Sequence, residues 1–273
     1  MIIPVDSADD DRLEPYLRVR ERDLARRDGC FIVEGRVTVE RLITGSRFET
    51  LSVFLADSRV ARLAPLLERL NPSVPIYVAP QALMDSIVGF PLHRGILALA
   101  RREVETAAGP FLRTLKQPLD DHTPITVLGL IGLSNHDNVG ACFRNAAALG
   151  ASGMLLDQEC CDPLYRKAIR VSAGTALALP YCRHGTGGEM ITALSEEAFD
   201  LWALSPQGGE ALETLKPPRR LALLLVAEGP GLPRDLLART RRVSIPMDGD
   251  TDSLNVATAG ALALWRVRTA RSA

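Results

Sequence analysis

Along this chain short apolar runs alternate with stretches in which apolar residues recur at helical spacing. Cys30–Val33 reads as a strand, and residues 35–44 as a helix with Val37, Val39, Leu42 and Ile43 as its apolar positions. Thr50–Leu55 reads as a second strand, Arg59–Leu70 as a helix, Pro75–Val78 as a third strand, and Gly95–Ala100 as a strand that closes the unit. Such alternation predicts a small α/β domain over residues 1–103. Ahead of it, Asp11–Arg27 has a helical pattern, with Gly29 as a stop signal.

From Arg101 to Thr123 the chain turns polar and carries Gly109, Pro110, Pro118 and the pair Asp120-Asp121, so residues 104–123 read as a linker. A second domain follows over 124–273. Ile125–Leu133 is a nearly continuous apolar run, suited to a central parallel strand covered on both faces. Ser134–Asn138 are turn formers, Val139–Leu149 is a helix ended by Gly150, and Gly153–Leu156 completes a βαβ unit. Between Cys160 and Pro180 lie a Pro-containing loop, a basic helix with Arg166, Lys167 and Arg170, and a small-residue step at Ser172–Gly174. Leu201–Leu204 and Leu221–Val226 are further strands, the second running into Ala227, Glu228, Gly229, Pro230 and Gly231. That turn is either a ligand loop or an ordinary tight turn. Finally, a short strand ends in Ile245, Pro246 and Met247, and a polar loop leads to a helix of Ala, Gly, Leu and Val up to Trp265. Ser253 and Asn255 fall in its opening turn, where Ser253 suits an N-cap. Open α/β sheets place ligands at such strand-to-helix junctions.

Composition narrows the function classes. A chain of 273 residues with 47% hydrophobic and 24% charged content is globular rather than disordered or low in complexity. With a formal net charge of -1, any nucleic-acid binding must come from a local basic surface. The Asp11–Arg27 segment offers one, since Arg12, Arg18, Arg20, Arg22, Arg26 and Arg27 are interleaved with acids; a solvated helix face explains the same pattern. The cysteines (Cys30, Cys142, Cys160, Cys161, Cys182) are scattered and read as reduced thiols, and His93, His122, His136 and His184 lack metal-ligand spacing, so no metal is expected. No Walker loop or GxGxxG follows a strand. No apolar run reaches about 18 residues and the N-terminus lacks a basic signal start, so a cytoplasmic protein with no membrane partner is expected.

Three pieces occur in a telling order. Asn138-Val139-Gly140 with Arg144, then Glu228-Gly229-Pro230-Gly231-Leu232, then Ile245-Pro246-Met247 with Ser253-Leu254-Asn255-Val256, resemble the three signature motifs of the SpoU (TrmH-like) RNA ribose 2′-O-methyltransferases of the SPOUT superfamily. The segment Asp162–Gly174 is similar to a further family segment, and the likeness spans Ile125–Arg268. Phe31–Gly35 with Arg94–Ala98 resembles, more loosely, the small α/β substrate-binding domain that many members carry first. The chain departs from the family at Val226-Ala227, where Gly-Asn or Gly-Ser is usual, at His136 in place of proline, and at Ala257 in place of serine or threonine.

The resemblance implies a parallel α/β sheet with a deep trefoil knot, a homodimer, and S-adenosylmethionine held by Leu225, Val226, Ala227, Gly229, Gly231, Ile245, Pro246, Met247, Ser253 and Leu254. It implies catalytic roles for Asn138, Arg144, Glu228, Ser253 and Asn255, with Arg144 beside the target ribose. It also shifts Arg18, Arg22 and Arg26, together with Arg166, Lys167 and Arg170, toward RNA contact. The expected activity is 2′-O-methylation of structured RNA, rRNA ahead of tRNA. The competing readings are a non-catalytic knotted RNA-binding protein in ribosome assembly and, less compatible with the motifs, a base methyltransferase. Because guanidinium keeps its proton, Arg144 is expected to hold a phosphate and stabilise a developing alkoxide rather than act as a base.

Overall fold

The alternating pattern folds into two separate sheets. The computed structural model describes residues 1–17, 29–92, 95–116, 123–206, 208–227, 234–248 and 253–272. Among them the chain divides into two compact units, residues 1–104 with 164–178, and residues 105–163 with 179–273.

The first unit contains β1 (Ile2–Pro4), β2 (Cys30–Glu34), α1 (Arg36–Gly45), β3 (Thr50–Ala56), α2 (Val60–Leu67), β4 (Ile76–Ala79), α3 (Gln81–Val88) and β5 (Ile96–Arg101). Its strands lie in the order β1-β4-β3-β5-β2, with β1, β4 and β3 parallel and β5 antiparallel to both β3 and β2. Leu13, Tyr16, Ile32, Phe54, Met84, Ile87 and Leu97 share one core. β1 and α3 add to the expected elements; Met84, Ile87 and Val88 are the buried face of α3. The expected helix from Asp11 is corrected at its start. Residues Asp11–Tyr16 form a 3-10 turn with Pro15 inside it, and Leu17 is extended. Pro15 has no N–H to give to an α-helical ladder, which favours the short form. Arg18, Arg22 and Arg26 lie outside the described residues.

The second unit begins with α4 (Ala108–Lys116), inside the stretch expected to be linker. Phe111 and Leu112 bury against Ile125, Val127, Leu155, Met190, Ile191 and Leu194, each gaining about 2 kcal/mol before entropy costs. Ala108, Phe111, Leu112 and Leu115 do fall at helical spacing, but Gly109 and Pro110 among them read as linker residues. There follow β6 (Ile125–Ile131), α5 (His136–Ala148), β7 (Gly153–Leu156), α6 (Arg166–Val171), β8 (Tyr181–Arg183), α7 (Gly187–Glu196), β9 (Asp200–Leu204), β10 (Glu210–Ala211), β11 (Arg220–Val226), α8 (Arg234–Leu237), β12 (Arg241–Ser244) and α9 (Val256–Ser272). The sheet order is β10-β12-β9-β11-β6-β7-β8, and every neighbouring pair is parallel. β12 stops at Ser244, short of the expected end at Met247.

α6 belongs to the first unit rather than to an unbroken 124–273 domain. Its Ala168 and Ile169 are buried, and Ser46 Oγ of the same unit donates to Leu177 O at 3.1 Å. In the second unit β6 and β11 pair along their whole length, from Ile125 opposite Arg220 to Ile131 opposite Val226. α9 packs on β11 at Gly260, where an added Cβ would lie 2.8 Å from Leu225 Cδ1. Thus the small residues of this helix permit a close backbone approach.

Candidate active site

β6 and β11 reach the C-terminal edge of the sheet together, and the pairing persists one residue further, since Ala227 N donates to Ile131 O at 3.0 Å. Beyond Ile131, Gly132 turns the chain with φ +71, a conformation strained for any residue with a Cβ. The turn then enters α5. Asn135 is its N-cap, with φ -92 and ψ 117, and its Oδ1 accepts from Asp137 N at 2.8 Å and Asn138 N at 3.4 Å. Asn138 is therefore free of the capping duty and sits in the first turn with its own amide available.

That amide meets the third segment. Asn255 Nδ2 donates to Asn138 Oδ1 at 3.0 Å, while Asn255 Oδ1 accepts from Ala257 N at 3.0 Å and Thr258 N at 3.3 Å. Asn255 thus caps α9 and clasps α5 at once. This corrects the expectation for Ser253, which is exposed ahead of the helix while the cap is Asn255. A second clasp reinforces the first, with Asn145 Nδ2 donating to Ala257 O at 2.9 Å. Two helix N-termini, each with a partial positive charge, are held side by side. Arg144 is exposed on α5 and makes no hydrogen bond or ion pair among the described residues. The two helix ends make a receptor for anionic and electron-rich groups, and Arg144 adds an exposed cation further along α5.

The remaining expected site residues fall in two sets. Leu225 is buried, Val226 and Ala227 are half-buried at the end of β11, and Ile245, Met247 and Leu254 are half-buried with Pro246 and Ser253 exposed. Residues 245–248 lie outside the strand ladder, which frees their main chain for a ligand. Glu228, Gly229 and Gly231 lie outside the described residues. Asn135 and Asn145 are partners that the motif reading missed. Asn135 was legible, as an Asn followed by an acid in the first helical turn. Asn145 was not, because its partner is a carbonyl 112 residues away.

Other candidate chemistry recedes. Among the described residues no group of three or more His, Cys, Asp or Glu could hold a metal ion. Burial pushes the Cys142 thiol up to about 12 and Cys161 to about 11, and raises Cys160 as well, so none is a poised nucleophile. No described helix is long and apolar enough to cross a membrane. Of the basic residues on α6, Arg166 is committed within the first unit: Nη1 lies 3.4 Å from Glu34 Oε2, and the guanidinium stacks 4.7 Å from the Phe90 ring centroid. Lys167 and Arg170 are exposed.

A parallel sheet with polar loops and helix N-termini gathered at the C-terminal ends of its strands is a ligand-binding α/β arrangement. The comparisons with known proteins specify the class. The SpoU rRNA Methylase family matches over residues 126–265. An uncharacterized tRNA/rRNA methyltransferase of Mycobacterium bovis is 39% identical over 267 residues, 94% of this chain and 88% of the relative. The 23S rRNA (guanosine-2′-O-)-methyltransferase RlmB of Escherichia coli K12 is 30% identical over 252 residues, 88% of this chain and 99% of RlmB. The crystal structure of an AdoMet-bound rRNA methyltransferase from Sinorhizobium meliloti has the same fold, with a TM-score of 0.80 at 19% identity over 98% of each chain. The chain belongs to the SpoU rRNA methylase family. It is an RNA methyltransferase, and its methyl donor is S-adenosylmethionine.

Proposed function

We propose that this enzyme methylates a ribose 2′-hydroxyl in ribosomal RNA. The observation that carries the reading is the Asn138–Asn255 bond, which brings the first and third motif segments together on the helix that also carries the exposed Arg144. The full-length likeness to RlmB, whose name specifies guanosine 2′-O-methylation of 23S rRNA, supports the substrate class. Transfer RNA is the second candidate, because the Mycobacterium bovis relative is named for both.

The donor set at the strand ends suits S-adenosylmethionine. Main chain outside the ladder at 245–248 and around Val226–Ala227 offers amides and carbonyls to the adenine edge and ribose, and Ile245 and Leu254 offer apolar surface. Glu228, Gly229, Gly231 and Ser253 complete the proposed set. Bound there, the cofactor supplies an electrophilic methyl group. Arg144 grips the phosphate next to the target nucleotide and stabilises negative charge on the ribose oxygen as its proton leaves to water or an RNA phosphate. Asn138, held by Asn255, and Glu228 orient Arg144 and the nucleotide, because in-line displacement needs the reacting atoms within about 3–3.5 Å.

Lys167 and Arg170, with Arg18, Arg22 and Arg26, form the proposed RNA-binding set, while the pairing of Arg166 with Glu34 gives it a structural role. In this reading the second unit is a trefoil knot and the enzyme is a cytoplasmic homodimer. On α9, Leu262 is 40% exposed and Trp265 56% exposed, an apolar pair one turn apart that a second copy would cover. Trp265→Glu should then shift the species seen by light scattering from dimer to monomer.

The deciding experiment incubates the protein with labelled S-adenosylmethionine and, separately, rRNA and tRNA from cells lacking the enzyme, then maps ribose methylation by nuclease resistance. One labelled position, lost with Arg144→Ala, establishes the activity and its target. Label in tRNA alone transfers the reading to tRNA. Binding of cofactor and RNA with no transfer to either RNA favours a non-catalytic role in ribosome assembly.

A further inference from the structure

At the end of β7, next to the β6–α5 turn, lies a carboxylate that the chemistry above does not use. Asp157 is 2% exposed. Its Oδ1 accepts from Gly132 N at 3.0 Å and from Cys160 N at 3.0 Å, and its Oδ2 lies 3.1 Å from Gly132 N. The Asp157 amide donates to Leu130 O at 3.2 Å. The loop after it grips the same turn from further along, since Cys161 N donates to Leu133 O at 2.9 Å and Cys160 Sγ donates to Leu130 O and accepts from Leu133 N, each at 3.3 Å. Arg183 secures that loop through Cys160 O at 3.0 Å and Gln158 O at 2.9 Å.

The location matters more than the count. Gly132 is the residue at which the first motif segment leaves the sheet, and Ile131 just before it holds Ala227, where the second segment leaves. An added Cβ on Gly132 would sit 3.5 Å from Ala227 Cβ. Three residues on, Asn135 caps α5, and Asn138 clasps Asn255 of the third segment. A buried carboxylate that accepts two amides is a strong acceptor, and one that fixes a left-handed residue also fixes the direction in which the chain continues.

We propose that Asp157 is a positioning residue for methyl transfer: through the Gly132 and Cys160 amides it sets the path of the turn that carries Asn138 and Arg144. The inference rests on the methyltransferase reading for its kinetic part and on geometry alone for its structural part. Asp157 touches no substrate in this account. It acts through backbone, and the signature of that role is a loss in turnover with binding intact.

The test compares full-length Asp157→Ala and Asp157→Asn with the wild type. Asparagine keeps an oxygen where Oδ1 accepts both amides, whereas alanine leaves the Gly132 amide without a partner and the Cys160 amide with only the main-chain oxygen of residue 157, at 3.2 Å in the wild type. Hydrogen exchange should show the Gly132 amide of the alanine variant opening about tenfold or more faster, as expected for loss of a charged acceptor, with Cys160 changing less because it keeps a main-chain acceptor and with the asparagine variant close to wild type. In methyl transfer to rRNA, Asp157→Ala should lower kcat on the order of a hundredfold, with RNA KM and the S-adenosylmethionine Kd by calorimetry within about threefold of wild type. Asp157→Asn should recover most of the loss. Unchanged exchange at Gly132 in the alanine variant overturns the proposal, as does wild-type kcat. Parallel loss of cofactor affinity, KM and kcat reduces Asp157 to a general structural residue and also overturns it. A wild type that transfers no methyl group refutes the activity instead, and the exchange experiment still decides the geometry.

Discussion

Asn255 does two separable things, and a pair of substitutions pulls them apart. Its Oδ1 caps α9 through Ala257 N and Thr258 N, and its Nδ2 donates to Asn138. Asn255→Ala removes both. Loss of the cap costs about 1 kcal/mol, and loss of an exposed amide–amide bond adds about 0.5 kcal/mol. Together they amount to roughly 1.5 kcal/mol, or a fall in Tm of about 3–6 °C for a chain of this size. Asn255→Asp keeps both acceptor functions and adds negative charge at a helix N-terminus, which contributes roughly 0.3–1 kcal/mol. That gain offsets the lost donor, so its Tm should stay within about 2 °C of wild type.

Activity should not follow stability in this pair. In Asn255→Asp a carboxylate faces Asn138 Oδ1, so the Asn138 amide must turn over to present Nδ2 or let go, and either change displaces the group it offers to the site although α9 remains capped. A misplacement of about 1 Å near the reacting atoms costs on the order of a hundredfold in rate. Both variants should therefore lose comparable methyl transfer, although only the alanine variant is less stable. Calorimetric melting and initial rates with labelled cofactor are the assays. Equal Tm losses would refute the assignment of Oδ1 as the cap, and wild-type rates in Asn255→Asp would refute the role of the clasp.

Other outcomes follow from the same contacts. Arg144→Ala should cut transfer by about a hundredfold or more while calorimetric S-adenosylmethionine affinity is unchanged, and Arg144→Lys should restore little because a point charge replaces a planar fork. Arg166→Ala should destabilise the first unit by about 2 kcal/mol in urea unfolding, since it strands Glu34 with 10% side-chain exposure and removes the stack on Phe90. Lys167→Ala and Arg170→Ala, by contrast, should leave the urea midpoint alone and weaken RNA binding, each lowering the log–log salt slope by about 0.7–0.9. The buried thiol of Cys142, pushed up to about 12, is ionised in roughly one molecule in ten thousand at pH 8, so alkylation of native protein should spare it. Because that pKa is raised by folding, its contribution to stability is intact below about pH 8.5 and declines as pH climbs toward 12, which urea titrations at pH 8 and pH 10 would register.

Much of the fold could be read from period alone, and the failures have physical causes. β6 and β11 were legible because strands buried on both faces are continuous apolar runs. β8 and β10 were not, being very short, and α4 was not, because Gly109 and Pro110 interrupt an apolar face whose burial is settled by distant partners such as Leu155 and Met190. The residues of the site were legible only as a motif resemblance. Nothing local to Asn138 and Asn255 says that they bond across 117 positions, or that Asn255 rather than Ser253 caps α9. Asp157 was invisible for a related reason: a lone acid after an apolar run reads as a solvated turn residue until its two amide donors are in view.

The convergence of these segments follows from register and length. β6 and β11 begin and end opposite each other, so their following loops must leave the sheet at the same edge. A strand of seven residues spans about 23 Å, and a helix of seventeen about 25 Å. α9 thus matches the strand it covers. At its far end Arg271 donates to Thr126 Oγ1 at 2.6 Å and to Pro218 O at 2.5 Å, beside the starts of β6 and β11. Those bonds hold the guanidinium half-buried, where desolvation lowers its pKa without discharging it. With the C-terminal end anchored at the strand starts and Gly260, in the second turn of α9, seated on Leu225 one residue before β11 ends, the N-terminal end can only fall at the strand ends, where Asn255 meets Asn138. The position of one asparagine is therefore fixed by the whole length of the helix behind it.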